Sequence, residues 1–219
     1  MPRALFEKTG MAAYISHLDL MRLFQRSFKH AGLPLTHTKG FNPRPSVSIA
    51  LPLSLGVESN CELLDFELDV DGFSCEDIRD RLNSNLTEGV RILEVYKNAA
   101  KLKHLAYLSC ELVLEYDAGI PSGAANQLRG LFTSPELFVE KKGKNGITEQ
   151  NIIPMIRHIE IEEINANELR LNARICCQNP TLNPSQLVAA VAKYLPDFAP
   201  DFVRIRRREI YNTDQEIFR

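Results

Sequence analysis

The residues best suited to chemistry gather in the first quarter of the 219-residue chain. His17 opens a helix-like segment, where free N–H groups suit a phosphate and an imidazole can serve as general acid. An exposed helix-start residue without chemistry would look the same. Arg22, Arg26 and Lys29 stand four and three residues apart, which sets them on one helical face. His37, Lys39 and Arg44 follow within eight residues, with Phe41 and Asn42 among them, on a stretch shaped by Gly40, Pro43 and Pro45. Cations interleaved with an aromatic ring suit phosphate contact and base stacking. The glycine permits close backbone approach to an anion, and the prolines stiffen the loop. A solvated loop with ordinary charges is the alternative.

A second basic run lies near the end. In a strand, Arg204, Arg206 and Arg208 share one face, and Arg207 falls opposite with Val203 and Ile205. Three like charges on one face repel unless an anion or the protein's own carboxylates lie against them. Five cysteines (Cys61, Cys75, Cys110, Cys176, Cys177) show neither C-x-x-C nor the C-x-x-x-C-x-x-C of a radical-SAM cluster. They read as structural thiols, so no metal and no cofactor is expected. P-loop, G-x-G-x-x-G, H-E-x-x-H and G-x-S-x-G motifs are all missing from the sequence.

Charge is uneven along the chain. Residues 1–50 carry +5 and residues 51–100 carry −7, within an overall charge of −2. That split suggests a cationic surface for an anionic partner beside an acidic, solubilising one, unless the charges interleave in three dimensions. No run reaches the ~20 apolar residues of a membrane helix. The opening residues MPRALFEKTG lack a signal-peptide pattern, so a cytoplasmic address is expected.

The elements that must position these residues follow from pattern. Residues 4–8 and 12–15 read as an extended segment interrupted at Gly10. Ser16 and Asp19 form a capping box, followed by apolar Leu20, Met21, Phe24, Phe28 and Ala31 at helical spacing. Gly32 and Pro34 end that helix. A Gly/Pro-rich loop leads to a strand at residues 47–51. Leu64, Phe66 and Leu68 then alternate with Asp65, Glu67 and Asp69, a strand with one wet face. Ser74 and Asp77 begin a second helix, and residues 89–98 supply another strand. The order β-α-β-β-α-β is that of a ferredoxin-like sandwich.

The second half repeats the order. Strands are expected at residues 105–116, 137–142 and 156–178, the last turning at 165–167, with a helix in 121–132. Asn183 and Pro184 open a further helix with Leu187, Val188, Val191 and Leu195 inward, before a strand at 202–211. The expected fold is α+β, tandem ferredoxin-like (βαββαβ) sandwiches, with domains 1–100 and 101–219.

The motifs Y-I-S-H-L-D-L-M-R (residues 14–22), A-G-L-P-L (31–35), G-F-N-P (40–43) and A-L-P-L-S-L-G-V-E-S (50–59) resemble the radical-SAM-linked family, a bacterial domain of unknown function (domain of unknown function 2344). The matching positions are Ser16, His17, Asp19, Arg22, Gly40, Phe41, Asn42, Pro43, Gly56 and Glu58. The chain departs at Lys39 and Arg44, where the family has glutamine and histidine, and both departures add positive charge. The resemblance implies a separately encoded radical-SAM enzyme as partner, but carries no catalytic assignment.

The function expected is therefore a non-catalytic RNA-binding or substrate-presenting accessory module. Arg22, Arg26, Lys39, Phe41, Asn42 and Arg44 are its candidate nucleic-acid contacts. An RNA-acting enzyme is the alternative. CRISPR repeat-processing endoribonucleases also stack two ferredoxin-like domains, and by fold analogy Tyr14, His17, His37 and Lys39 would fill the catalytic roles. A protein-binding scaffold for a radical-SAM enzyme is the third reading.

Overall fold

The computed structural model describes residues 2–143 and 146–219. The chain divides into two compact units: one reaches to His104 and includes Arg219, and the other is Leu105–Phe218. Both are mixed α and β, and each is built around two helices.

In the first unit the strands are β1 (Arg3–Lys8), β2 (Val47–Ala50), β3 (Glu58–Phe66) and β4 (Val90–Tyr96), with helices α1 (His17–His30) and α2 (Cys75–Asn83). β1 pairs antiparallel with β3 and β4, and β2 pairs antiparallel with β3, giving the order β4-β1-β3-β2. Ala4, Phe6, Leu64, Phe66 and Ile92 project from one sheet face into a core with Leu20, Phe24, Phe28, Ile78 and Leu82 of the helices. Two ring pairs lock α1 down: Phe6 against Phe24 at 4.9 Å, edge to face, and Phe28 against Phe66 at 5.0 Å.

Two expectations need correcting here. Residues 12–14 are not extended: Gly10–Tyr14 coils into a 3-10 turn, and the chain is extended again only at Ile15. The reason is Lys8, which is buried and donates to the carbonyls of Ala13 at 3.1 Å and Ile15 at 2.8 Å, drawing that segment inward. Its desolvated ammonium is held below the usual lysine pKa, with Glu62 acting in the opposite direction. The strand expected to alternate through Asp69 is shorter: Asp65 is half-buried within it, and the exposed Glu67 and Asp69 lie beyond its end. β3 ends at Phe66, and Cys61, Glu62, Leu63 and Leu64 are all buried.

In the second unit β5 (Leu105–Glu115), β8 (Ile156–Asn165), β9 (Glu168–Cys176) and β10 (Phe202–Asn212) form an antiparallel sheet in the order β10-β5-β9-β8. Helices α3 (Ala124–Phe132) and α4 (Pro184–Tyr194) accompany it. Asn183 caps α4 in a complete capping box with Gln186. A separate hairpin pairs β6 (Phe138–Gly143) with β7 (Gly146–Asn151), and β7 was not expected.

The thiols follow the burial of these strands. Cys61, Cys110, Cys176 and Cys177 are buried and Cys75 is half-buried. Burial pushes the thiols of Cys110 and Cys177 up to about 12. A thiol-exchange reagent at pH 8 is expected to titrate one cysteine rapidly in the native protein and all five after denaturation. Rapid reaction in a C75S variant would contradict this burial.

Candidate functional site

Ser16 begins the construction of the site. Its hydroxyl oxygen accepts from the Asp19 N–H at 3.2 Å, starting α1, and its O–H donates to Asp19 Oδ2 at 2.7 Å. Asp19 also accepts from Arg22 at 2.9 Å, and these two hydrogen bonds hold its carboxyl below the usual range. The buried stripe Leu20, Phe24, Phe28 then obliges the other side of α1 to face solvent. There Arg22, Gln25, Arg26 and Lys29 line a shallow depression of about 430 Å³.

At the end of α1, Gly32 takes φ +67°, the left-handed conformation that reverses the chain. The following loop is tied back by an irregular ladder. Thr36 N–H donates to Glu67 O at 2.9 Å, Glu67 N–H to Ser46 O at 3.0 Å, and Ser46 N–H to Thr36 O at 2.8 Å. Thr38 N–H reaches Arg44 O at 2.8 Å, and Arg44 N–H returns to Thr38 Oγ1 at 3.0 Å. Residues 39–43 become the tip of this stem. Phe41 at the tip is 101% exposed, and Lys39, Asn42 and Arg44 are exposed around it.

The loop stem and α1 enclose a second cavity, of about 370 Å³. Phe28, Leu33, Leu35 and Pro45 make its apolar wall, and Gln25, Lys29 and His37 are its polar members. Gln25 and Lys29 border both cavities, so the basic face of α1 continues directly into the loop groove. Neither cavity is lined by a carboxylate.

The structure thus brings Arg22 and Arg26 together, and His37 to their neighbour Lys29. Lys39, Phe41, Asn42 and Arg44 stand on the tip beyond the groove. His17 and Tyr14 are elsewhere. Both are exposed, in or just before the first turn of α1, with about 12–18 Å of helix rise between His17 and the Gln25–Lys29 part of the groove. Gln25 escaped the sequence reading, although its position three after Arg22 and four before Lys29 was a usable signal.

The two basic runs differ in their partners. Arg204 pairs with Glu115, and with Glu168 at 2.8 Å; Arg208 reaches Glu111 at 2.7 Å. Arg207 is buried, opposite Cys110 on β5. On α1 and its loop, Arg22 has Asp19, whereas Arg26, Lys29, Lys39 and Arg44 make no salt bridge among the described residues. Of these two basic runs, the one on the first unit's helix and loop keeps cations outside any salt bridge among the described residues.

Residues 2–184 match the family described as an uncharacterized protein conserved in bacteria (DUF2344). The chain belongs to this family. No curated protein matches it. Among solved structures, a chain of a Cbf5–Nop10–Gar1 complex aligns with a TM-score of 0.52 at 10% identity, over 95% of this chain and 48% of that one. The chain spans about half the length of that neighbour, and the likeness is one of fold. An unknown protein from Galdieria sulphuraria aligns over 94% of this chain and 96% of its own, at 12% identity and a TM-score of 0.26. No helix among the described residues is long and apolar enough to cross a membrane.

Proposed function

We propose that this chain is an RNA-binding accessory module that holds single-stranded RNA on the outer face of α1 and the tip of the following loop. The observation that carries the reading is the wholly exposed Phe41 between Lys39 and Arg44, on a stem that continues the salt-bridge-free cations of α1. An exposed ring offers a stacking platform to any base, and the cations neutralise the phosphates on either side. A buried ring would have served the core, and Arg204 and Arg208 are held against carboxylates of β5 and β9, whereas Arg22 shares only the exposed Asp19.

Further parts of the proposal rest on topology and resemblance. Each unit is a ferredoxin-like sandwich, the second with the β6–β7 hairpin inserted, so the chain is a two-domain tandem divided near residue 100. The strand orders β4-β1-β3-β2 and β10-β5-β9-β8 support this. The bound RNA is presented to a separately encoded radical-SAM enzyme, the partner that the family resemblance implies, and a cytoplasmic address is part of the same reading.

Affinity for a labelled single-stranded RNA is expected to fall steeply with salt. Changing Arg22, Arg26 and Arg44 together to glutamine should lower the log–log slope by about two units, if each residue touches one phosphate. Phe41→Ala should weaken binding by roughly 1–3 kcal/mol with the slope unchanged, because stacking is not ionic. An unaltered slope in the triple variant would reject this face. Metal-free RNA cleavage abolished by His17→Ala, with binding retained, would replace the accessory role by the enzymatic one.

A further inference from the structure

We propose that the groove between α1 and the loop stem is a base-reading subsite that takes one unstacked adenine of the bound strand. This deepens the RNA-binding reading and rests on it.

The groove has the composition of a base pocket. Phe28 and Leu33 are fully buried and form an apolar floor, and Leu35 and Pro45 extend it. Its volume of about 370 Å³ lies at the small end of the roughly 300–1,000 Å³ typical of ligand sites, suited to a single ring system. Three polar side chains border that floor: Gln25, Lys29 and His37. None makes a side-chain hydrogen bond or ion pair among the described residues, so all three are available to a ligand.

Their chemistry matches one occupant. A glutamine carboxamide presents a donor and an acceptor side by side, the complement of the acceptor N7 and donor N6–H of adenine. The His37 imidazole offers a flat face for stacking, as aromatic side chains do for splayed-out RNA bases. Lys29 belongs both to this groove and to the depression with Arg22 and Arg26, which places a cation where the phosphate beside the inserted base would run. The absence of carboxylates from both linings favours a polyanion over a basic peptide. The groove supplies what Phe41 cannot: a stacked ring is indifferent to base identity, whereas a carboxamide over a shaped floor is not.

The test is fluorescence anisotropy with labelled oligo(rA), oligo(rC) and oligo(rU) of equal length, titrated with the full chain across a salt series. The unmodified protein should prefer oligo(rA) by about 10-fold, within the range of one bidentate base contact. Gln25→Leu should abolish that preference and leave the salt slope intact. His37→Ala should weaken oligo(rA) binding more than oligo(rU) binding. Equal affinity for the three homopolymers with a normal salt slope would overturn the subsite and leave the basic face standing. No binding to any of them at low salt would overturn the RNA-binding reading itself. Preference surviving Gln25→Leu would remove the assignment to this groove. Sedimentation showing self-association dispersed by Pro34→Glu, a change at an exposed lining position, would assign the groove to a second copy instead.

Discussion

Replacing Arg3 by alanine is expected to lower the unfolding free energy by about 3–5 kcal/mol, the loss typical of breaking one side of a buried ion pair. The Arg3 side chain is 3% exposed and lies on β1 directly opposite Asp65 of β3. Its fork donates from Nε to Oδ1 at 2.6 Å and from Nη2 to Oδ2 at 3.1 Å, and Nη1 reaches the Ala100 carbonyl at 3.0 Å. Alanine would leave the Asp65 carboxylate, itself only 14% exposed, without its counter-ion. Lysine should not restore stability, because a point ammonium cannot make two parallel bonds and a third to a backbone carbonyl. The paired change Arg3→Met with Asp65→Leu should be milder than Arg3→Ala alone, since no charge is stranded. Urea denaturation reads all three as midpoint shifts at constant slope. A loss below about 1 kcal/mol for Arg3→Ala would place this pair with ordinary surface bridges.

Gly89→Ala should be more damaging than any other glycine-to-alanine change in the first unit. Gly89 has φ +80°, and an added Cβ would lie 2.4 Å from Thr9 O and 2.9 Å from the Ala12 Cβ. Its carbonyl already accepts from Thr9 N–H at 2.8 Å, so the two backbones cannot separate without losing that bond. Gly10 is the internal control. It has φ +57° but nothing within 4 Å of an added Cβ, so alanine there should cost only the roughly 1–2 kcal/mol of a left-handed residue. Gly89→Ala adds a backbone clash to the same conformational penalty, and the excess over Gly10→Ala measures that clash. Thermal unfolding compares them directly. Equal destabilisation by the two variants would mean the turn yields, and that the β1-to-α1 connection is looser than its contacts imply.

The two basic clusters show how burial decides the fate of similar residues. Arg204 and Arg208 sit on a sheet whose neighbouring strands carry Glu111, Glu115 and Glu168 within reach, so their charge is consumed locally. Arg26 and Lys29 occupy the solvent side of a helix whose only first-turn acid, Asp19, is engaged by Arg22. The repulsion expected of three arginines on one strand face was reason enough to foresee the first outcome. The second depended on which acids the fold would carry towards α1, and sequence distance is silent on that.

What the sequence alone determined was local. Ser16, Ser74 and Asn183 announced three helix starts because a side-chain cap acts within three residues, and Leu20, Phe24 and Phe28 marked the buried face of α1 because helical periodicity is a one-dimensional signal. Strand β7 was illegible: GITEQN is mostly exposed, and its order comes from pairing with β6 rather than from burial. The burial of Arg3, Lys8 and Glu62 was illegible for a related reason, since a charged residue in a strand reads as solvent-facing until its partners are brought in from elsewhere. Lys8 then coiled residues 10–14, of which the apolar pattern alone had read 12–14 as extended. The groove was decided only by tertiary structure. Its wall combines Phe28 of α1 with Leu33, Leu35 and Pro45, and the loop is held there by Thr36, Ser46 and Glu67, the last of them 31 residues from the first. A site assembled from backbone bonds across that separation leaves no spacing in the chain to read, because the hydrogen bonds that shape it are made by atoms every residue possesses.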